Sequence, residues 1–194
     1  MRRVLTSTEL KRLHREWNRR RVHRLALILD RLQSPYNVGA IFRSAAGFRV
    51  DTLVLSGQTA PPRDPKVAKL AVGAERFVKW ETVDRCLQAV ERQRGAGFVV
   101  VGVELATDAQ PVWEVDLRRD VCFVVGNEVH GINKEVLQTL DEVAFIPMFG
   151  RIGSLNVASA TAIAMYEARR QHTALPPVNY GHLLDEPVPA KDGS

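Results

Sequence analysis

The chain has 194 residues, of which 45% are hydrophobic, and carries a formal net charge of +5. That length and apolar content fit one ordinary domain with a buried core. The N-terminus lacks the apolar stretch of a signal peptide, and no apolar run reaches the about 20 residues of a membrane span. Cys86 and Cys122 match no zinc or redox spacing, so buried reduced thiols and a cytoplasmic protein are expected.

The basic excess lies at the start of the chain. Residues 1–24 hold nine basic and two acidic side chains, a net charge of +7, so the remainder carries −2. A polyanion such as RNA or DNA is the natural partner of such a segment, because neutralised phosphates release their counterions. A solvated basic helix without a partner, or an acidic partner, is the alternative.

Periodicity predicts alternating helices and strands. Thr6 or Ser7 caps a first helix that runs to about Arg20, with Leu10, Leu13 and Trp17 on one stripe. Strands are predicted at residues 24–29, 52–55, 77–80, 98–103, 121–125 and 143–146. Helices are predicted at residues 37–48, 65–71, 83–94, 133–140 and from 157 onward.

Most predicted strands are continuous apolar runs, which indicates burial on both faces. The sequence therefore predicts an α/β fold with a mainly parallel sheet and helices on both faces. We divide the chain into a basic N-terminal helical arm (1–23), a central domain (24–171) and a proline-rich C-terminal tail (172–194).

Three polar, glycine-bearing loops follow predicted strands. They are contained in DRLQSPYNVGAIFR, GNEVHGIN and PMFGRIGSLN. In an open parallel sheet, ligands bind beyond the carboxyl ends of the strands, so three such loops together predict a binding site there.

The second loop begins at Gly126, which would let the backbone approach a ligand closely. Asn127 and Glu128 would then offer an amide and a carboxylate. An ordinary strand-to-helix turn, with Asn133 capping the next helix, is the alternative for this loop.

The third loop contains Gly150 and Gly153, for which unusual backbone dihedrals are expected. Ser154 as a plain N-cap would explain that serine, but neither the glycines nor Asn156. In the first loop, the apolar neighbours of Arg43 favour a packed environment for this residue, and a solvated surface position is the alternative.

Three stretches resemble, in order and content, the signature motifs of the SpoU family within the SPOUT superfamily of RNA methyltransferases, as in TrmH-like members. They are SPYNVGAIFRSAAGF, FVVGNEVHGI and IPMFGRIGSLNVASATAIAMYE, and the resemblance covers about residues 24–171. It implies S-adenosylmethionine as methyl donor and a ribose 2′-hydroxyl of tRNA or rRNA as acceptor. It also implies a homodimer with sites at the interface and a deep C-terminal trefoil knot. A tRNA is slightly preferred, because the sequence shows no large extra RNA-binding domain.

The resemblance also implies site residues. The cofactor would be bound by Leu105, Gly126, Ile146, Met148, Ser154 and Leu155. The catalytic side would contain Asn37, Arg43, Glu128 and Asn156. The arm lies outside the motifs, but its charge predicts that RNA is bound by Arg12, Arg15, Arg19, Arg20 and Arg21, together with Arg43. No metal ion is expected.

Two other functional classes are open at this stage. A non-catalytic RNA-binding or ribosome-assembly protein could use the same scaffold, although the intact Asn37, Arg43 and Glu128 argue against it. A dinucleotide-dependent oxidoreductase is disfavoured, because no glycine-rich fingerprint follows the first strand.

Overall fold

A computed structural model describes residues 3–20 and 22–172. Residues 23–172 form one compact unit, and the described residues before them belong to a second. That second unit contains helix α1 (Ser7–Arg19), none of whose residues is buried. Thr6 is its N-cap, in a capping box with Glu9. The cap therefore fixes the start of the predicted first helix at Ser7.

The compact unit is built on a seven-stranded sheet in which every pair of neighbours is parallel. The strands are β1 (Leu25–Asp30), β2 (Thr52–Ser56), β3 (Lys79–Val83), β4 (Val99–Val103), β5 (Gln110–Pro111), β6 (Val121–Val125) and β7 (Glu142–Phe145). Their order in the sheet is β3-β2-β1-β6-β4-β7-β5. The predicted α/β class with a parallel sheet is confirmed.

Helices cover both faces of the sheet because the buried strands alternate their side chains between two cores. The helices are α2 (Pro35–Gly47), α3 (Pro65–Ala71), α4 (Cys86–Gly95), α5 (Lys134–Leu137) and α6 (Val157–His172). Leu27 of β1 shares one core with Phe42 of α2 and Met165 of α6. Its neighbour Ile28 shares the other with Val90 of α4.

Helices α2 and α3 approach each other closely at Gly39. A Cβ built on Gly39 would lie 2.6 Å from the carbonyl oxygen of Val67 and 2.9 Å from the Cβ of Leu70. Any side chain at position 39 would therefore push the two helices apart. This motif glycine serves helix packing.

Some predicted elements differ from the structure, and the helix predicted at residues 133–140 covers only Lys134–Leu137. Strand β3 occupies Lys79–Val83, where residues 77–80 were predicted, because it is an edge strand with four exposed residues and no apolar run. Val83 consequently ends that strand, and α4 begins only at Cys86. Strand β5 was not predicted, because two residues carry no periodicity.

Both cysteines are free and buried, as predicted. Burial, reinforced by the nearby carboxylate of Asp30, raises the pKa of the Cys86 thiol to about 12. None of the helices in the described ranges has the length and apolar character needed to cross a membrane.

Candidate active site

A cavity of about 770 Å³ opens beyond the carboxyl ends of β4, β6 and β7. Its volume is ordinary for a small-molecule pocket. All six residues predicted to bind the cofactor line it: Leu105, Gly126, Ile146, Met148, Ser154 and Leu155. Glu128 and Asn156 of the predicted catalytic set line it too.

Glu128 joins the second loop to the first. One carboxylate oxygen accepts a hydrogen bond from the backbone N–H of Gln33 at 2.8 Å. The other accepts from the N–H of Ser34 at 3.0 Å and from Nδ2 of Asn37 at 2.9 Å. Burial raises the pKa of Glu128, but these donated hydrogen bonds outweigh it and lower the pKa below its ordinary 4.5. Glu128 is therefore a charged anchor whose two oxygens are already in use.

Asn37 and Asn156 continue this connection into the third loop. The amide Nδ2 of Asn156 donates to Oδ1 of Asn37 at 3.0 Å. Oδ1 of Asn156 accepts from the N–H of Ala158 at 2.9 Å, so Asn156 is the N-cap of α6. The cap considered for Ser154 in the sequence thus belongs to Asn156. A chain of side chains, Glu128–Asn37–Asn156, links all three loops.

The loop of residues 126–131 is held in place by hydrogen bonds and close contacts within the chain. The backbones of Asn127 and Gly131 exchange two hydrogen bonds, at 3.1 and 2.8 Å. The Asn127 side chain donates to the carbonyl of Arg31 at 2.9 Å and accepts from the N–H of Val129 at 3.0 Å. A Cβ built on Gly126 would lie 2.2 Å from the carbonyl carbon of Gly131. The close approach expected at Gly126 is therefore made by the chain itself.

Glu104, which the sequence analysis missed, supports the same loop. Its Oε2 accepts from the N–H of Ile132 at 3.0 Å, and its Oε1 accepts from the N–H of Leu105 at 3.0 Å. It also lines the cavity. No local signal marks this role, because it depends on β4 lying beside β6.

The loop of residues 146–156 is open by comparison. Neither Gly150 nor Gly153 has a left-handed φ, so the prediction of unusual backbone dihedrals at these two glycines is wrong. A Cβ built on either glycine would meet no atom within 4 Å. Ile152 is 71% exposed. The two glycines leave room beside the cavity.

Arg43 is exposed, so the packed environment expected for it is wrong. Its neighbours Phe42 and Ala45 are buried in the core, and Arg43 lies on the other side of α2. It lies six positions after Asn37 on the helix, which places the two side chains about 120° apart around the helix axis. Within the described residues, Arg43 has no hydrogen-bond or ion-pair partner, and it does not line the cavity of its own chain.

The arginines predicted in the basic arm have different surroundings. Arg15 and Arg19 are exposed, and Arg12 is half-buried. Arg20 lies 3.7 Å from a carboxylate oxygen of Glu16 and stacks on Trp17 at 4.2 Å. Arg21 lies outside the described residues. Across residues 3–20 and 22–172, no group of three or more His, Cys, Asp and Glu side chains could hold a metal ion.

Comparisons with known proteins agree with these motifs. The model of the SpoU rRNA Methylase family matches residues 24–166. The chain is 33% identical to a tRNA (guanosine(18)-2′-O)-methyltransferase of Aquifex aeolicus, over 87% of this chain and 79% of that one. It is 33% identical to a 23S rRNA (guanosine-2′-O-)-methyltransferase of Coxiella burnetii, over 79% of this chain and 61% of that one.

Among solved structures, an AdoMet-bound rRNA methyltransferase of Sinorhizobium meliloti superposes with a TM-score of 0.72 at 29% identity. The match covers 77% of this chain and 57% of that chain. The chain also spans only 55% of the length of a Synechocystis relative to which it is 34% identical. The family model matches most of the chain, and these relatives match at 33–34% identity over more than three quarters of it. The chain belongs to the SpoU rRNA methylase family.

Proposed function

We propose that this chain transfers a methyl group from S-adenosylmethionine to a ribose 2′-hydroxyl of tRNA or rRNA. The observation that carries the proposal is the hydrogen-bonded trio Glu128–Asn37–Asn156, of which Glu128 and Asn156 line one cavity. The names of the relatives in Aquifex and Coxiella specify guanosine-2′-O-methylation of tRNA and of 23S rRNA, respectively. A tRNA substrate is our preference.

The residues around the cavity fit the cofactor chemically. Leu105, Ile146 and Leu155 offer apolar surface for an adenine ring. The open space beside Gly150 and Gly153 leaves room for a bulky ligand. When bound, S-adenosylmethionine supplies a methyl group already activated by its positive sulfur. The protein then has to align the ribose oxygen and to stabilise the charge that develops as the hydroxyl loses its proton.

Arg43 is suited to that second task. A guanidinium holds its proton at any ordinary pH, so Arg43 acts as an electrostatic clamp on the ribose oxygen or a neighbouring phosphate. In Arg43→Lys, the charge remains and the planar fork is lost. We expect its methyl-transfer rate to fall steeply while its affinity for S-adenosylmethionine hardly changes. Near-normal turnover by Arg43→Ala would contradict this role.

We place the active site between two copies of the chain. Asn37 bonds Glu128 and Asn156 of the cavity lining, whereas Arg43 lies about 120° away around α2, so a site that uses both draws Arg43 from a second copy. Ile163 and Tyr166 of α6 are 38% and 58% exposed, which leaves apolar surface for dimer contacts.

Mixing two inactive variants tests this arrangement. Arg43→Ala keeps an intact cavity, and Asn156→Ala keeps Arg43. A heterodimer of the two would have one complete site if the residues come from different copies, so mixing should restore activity. If mixtures remain as inactive as either variant alone, Arg43 serves the cavity of its own chain.

The reaction itself is tested with labelled S-adenosylmethionine and total tRNA or rRNA, followed by nucleoside mapping. Label in a 2′-O-methylated nucleoside is the expected result. Calorimetry separates the alternative class, because a purely RNA-binding protein on this scaffold need not bind S-adenosylmethionine. Absence of both binding and labelling would overturn the proposal.

The N-terminal arm is proposed to bind RNA phosphates. This binding positions the substrate without reading its bases. Its exposed Arg15 and Arg19 are free to do so. Deletion of residues 1–20 should weaken RNA binding and flatten its dependence on salt. Unchanged affinity at low and high salt would contradict this role.

The knot is also part of the proposal. After β7, the chain returns across β4 and β6 so that α6 can pack against α2. The segment of residues 104–120 pairs with β7 through β5, and Leu117 and Val115 bond the side chain of Gln171 at the end of α6. A crystal structure would test whether residues 142–172 pass through the loop that this segment forms.

The free buried cysteines suit a cytoplasmic location.

A further inference from the structure

The compact unit divides into a positive part and a negative part along the sequence. Residues 31–79 hold eight basic and three acidic side chains, a net charge of +5, whereas residues 80–172 hold nine basic and thirteen acidic ones, a net charge of −4. The positive part contains α2, β2, α3 and the 3₁₀ turn Ala74–Arg76. It therefore contains β2, which lies next to the edge strand β3, and the helices that cover this side of the sheet.

Six basic side chains in this part are exposed, and none of them has an ion-pair partner among the residues that the structure describes. They are Arg43, Arg63, Lys66, Lys69, Arg76 and Lys79. The nearby acids do not offset them. Asp64 is engaged as the N-cap of α3, where it accepts from the N–H of Lys66 at 2.7 Å. Glu75 is half-buried.

Some of these cations lie on elements that pack against α2, the helix that carries Arg43. Gly39 of α2 faces α3, and Arg43 follows it one turn later on the same side of the helix. Helix α2 also packs against the 3₁₀ turn that ends at Arg76. Helix α3, which carries Lys66 and Lys69, and the 3₁₀ turn thus both contact the helix that carries the arginine of the proposed reaction.

An exposed aromatic ring stands among the cations. Phe77 is 79% exposed and directly follows Arg76. The turn that presents it contains two consecutive left-handed residues, Val72 at φ 53° and Gly73 at φ 81°. A β-branched residue with positive φ is a backbone outlier, and such strain persists where a particular chain path is needed.

We propose that the surface formed by Arg63, Lys66, Lys69, Arg76, Phe77 and Lys79, the α3 surface, binds a single-stranded segment of the substrate RNA beside the methylated nucleotide. The proposal rests on the proposed function. Lysine and arginine side chains bind the phosphates, and the Phe77 ring stacks on a base. Cations interleaved with an aromatic ring fit a nucleic acid better than an acidic protein, which offers no flat bases to stack.

Matched charge reversals test the α3 surface in the full chain. Lys66→Glu/Lys69→Glu reverses two charges on the exposed side of α3. Arg85→Glu/Lys134→Glu makes the same change in net charge on the opposite face, beside α4 and α5, where Arg85 is 72% exposed. Phe77→Ala removes the ring and leaves the charge unchanged.

For the α3 reversal, we expect RNA affinity at low salt to fall at least about tenfold, and the slope of log affinity against log salt to shrink by about 1.4, for two single-strand phosphates. Phe77→Ala should weaken binding about fivefold or more with an unchanged slope. The control reversal should stay within about twofold of wild type. In methylation assays, the KM for RNA should rise, while the Kd for S-adenosylmethionine and the thermal midpoint remain unchanged.

The outcomes separate this inference from the proposed function. If wild type methylates RNA and the α3 reversal behaves like its control, the α3 surface does not bind RNA, and an acidic protein becomes its partner. If wild type binds RNA through Lys66 and Lys69 but methylates no RNA, the surface stands and the proposed reaction fails.

Discussion

The two loops that wall the cavity from β6 and from β7 are constructed in opposite ways. In the loop of residues 126–131, nearly every polar group of Asn127 is bonded within the chain, and a Cβ on Gly126 would collide with the backbone at Gly131. In the loop of residues 146–156, a Cβ on Gly150 or Gly153 would meet no atom within 4 Å. Glycine is thus sterically required in the loop of residues 126–131, whereas in the loop of residues 146–156 it leaves open space.

This difference indicates that the two loops have different roles. The loop of residues 126–131 is preorganised, so Glu128 and its partner Asn37 keep their positions before any ligand arrives. The loop of residues 146–156 has few contacts of its own and is free to adapt its shape to a ligand. Substitutions in residues 126–131 should therefore change stability, and substitutions in residues 146–156 should change ligand binding.

The largest effect is expected at Gly126. A methyl group there would lie 2.2 Å from the backbone of Gly131 and Ile132, so Gly126→Ala should lower the free energy of unfolding by about 3 kcal/mol. Urea denaturation measures this change. Gly150→Ala is the matched control, and it should change stability by less than about 0.5 kcal/mol. Equal losses in both variants would remove the distinction between the loops.

The next effect is expected at Glu104. Truncation to alanine leaves the N–H groups of Ile132 and Leu105 without their acceptor, so Glu104→Ala should lose about 2 kcal/mol of stability. Glu104→Gln keeps one acceptor oxygen and should lose less. Amide hydrogen exchange should quicken at residues 131 and 132 in the alanine variant. Unchanged exchange there would mean that Glu104 does not hold the loop.

Asn156 connects the two loops and allows its two roles to be separated. Asn156→Ala loses the N-cap of α6 and should reduce stability by about 1 kcal/mol. Asn156→Asp keeps the cap and loses the Nδ2 donor to Asn37. The aspartate variant should retain stability in thermal unfolding while its methyl-transfer rate falls. An aspartate variant as active as wild type would show that the Asn37 contact is dispensable.

The smallest effect concerns pH and Glu128. The folded-state pKa of Glu128 is lowered, so its contribution to stability is complete above the ordinary value of 4.5 and disappears as pH falls through the folded pKa. Wild type should therefore exceed Glu128→Gln in stability at pH 7, and the gap should narrow below pH 4.5. Urea titrations at both pH values provide the measurement. A gap that is independent of pH would mean that the charge of Glu128 contributes nothing.

The parallel sheet was predictable because its strands are buried on both faces and read as apolar runs, as in Leu25–Asp30 and Val121–Val125. The edge strand Lys79–Val83 was placed wrongly because four of its five residues are exposed, so it has no apolar run. The two residues of β5 are too few for any pattern.

In the site, the motif residues could be predicted, but their supports could not. Glu104 holds the loop across a strand pairing that no local pattern encodes. The reasons for individual glycines were also hidden, since Gly39 is required by α3 and Gly126 by the backbone of residue 131. Such requirements arise from contacts between segments distant in sequence.

The cavity also has a temporal consequence for protein synthesis. Its last wall is formed by the loop of residues 146–156 and the first turn of α6, which are among the last parts of the compact unit to leave the ribosome. A nascent chain that has reached only residue 145 lacks this wall of the cavity. A ligand that contacts the wall can therefore bind only after residues 146–157 have been synthesised.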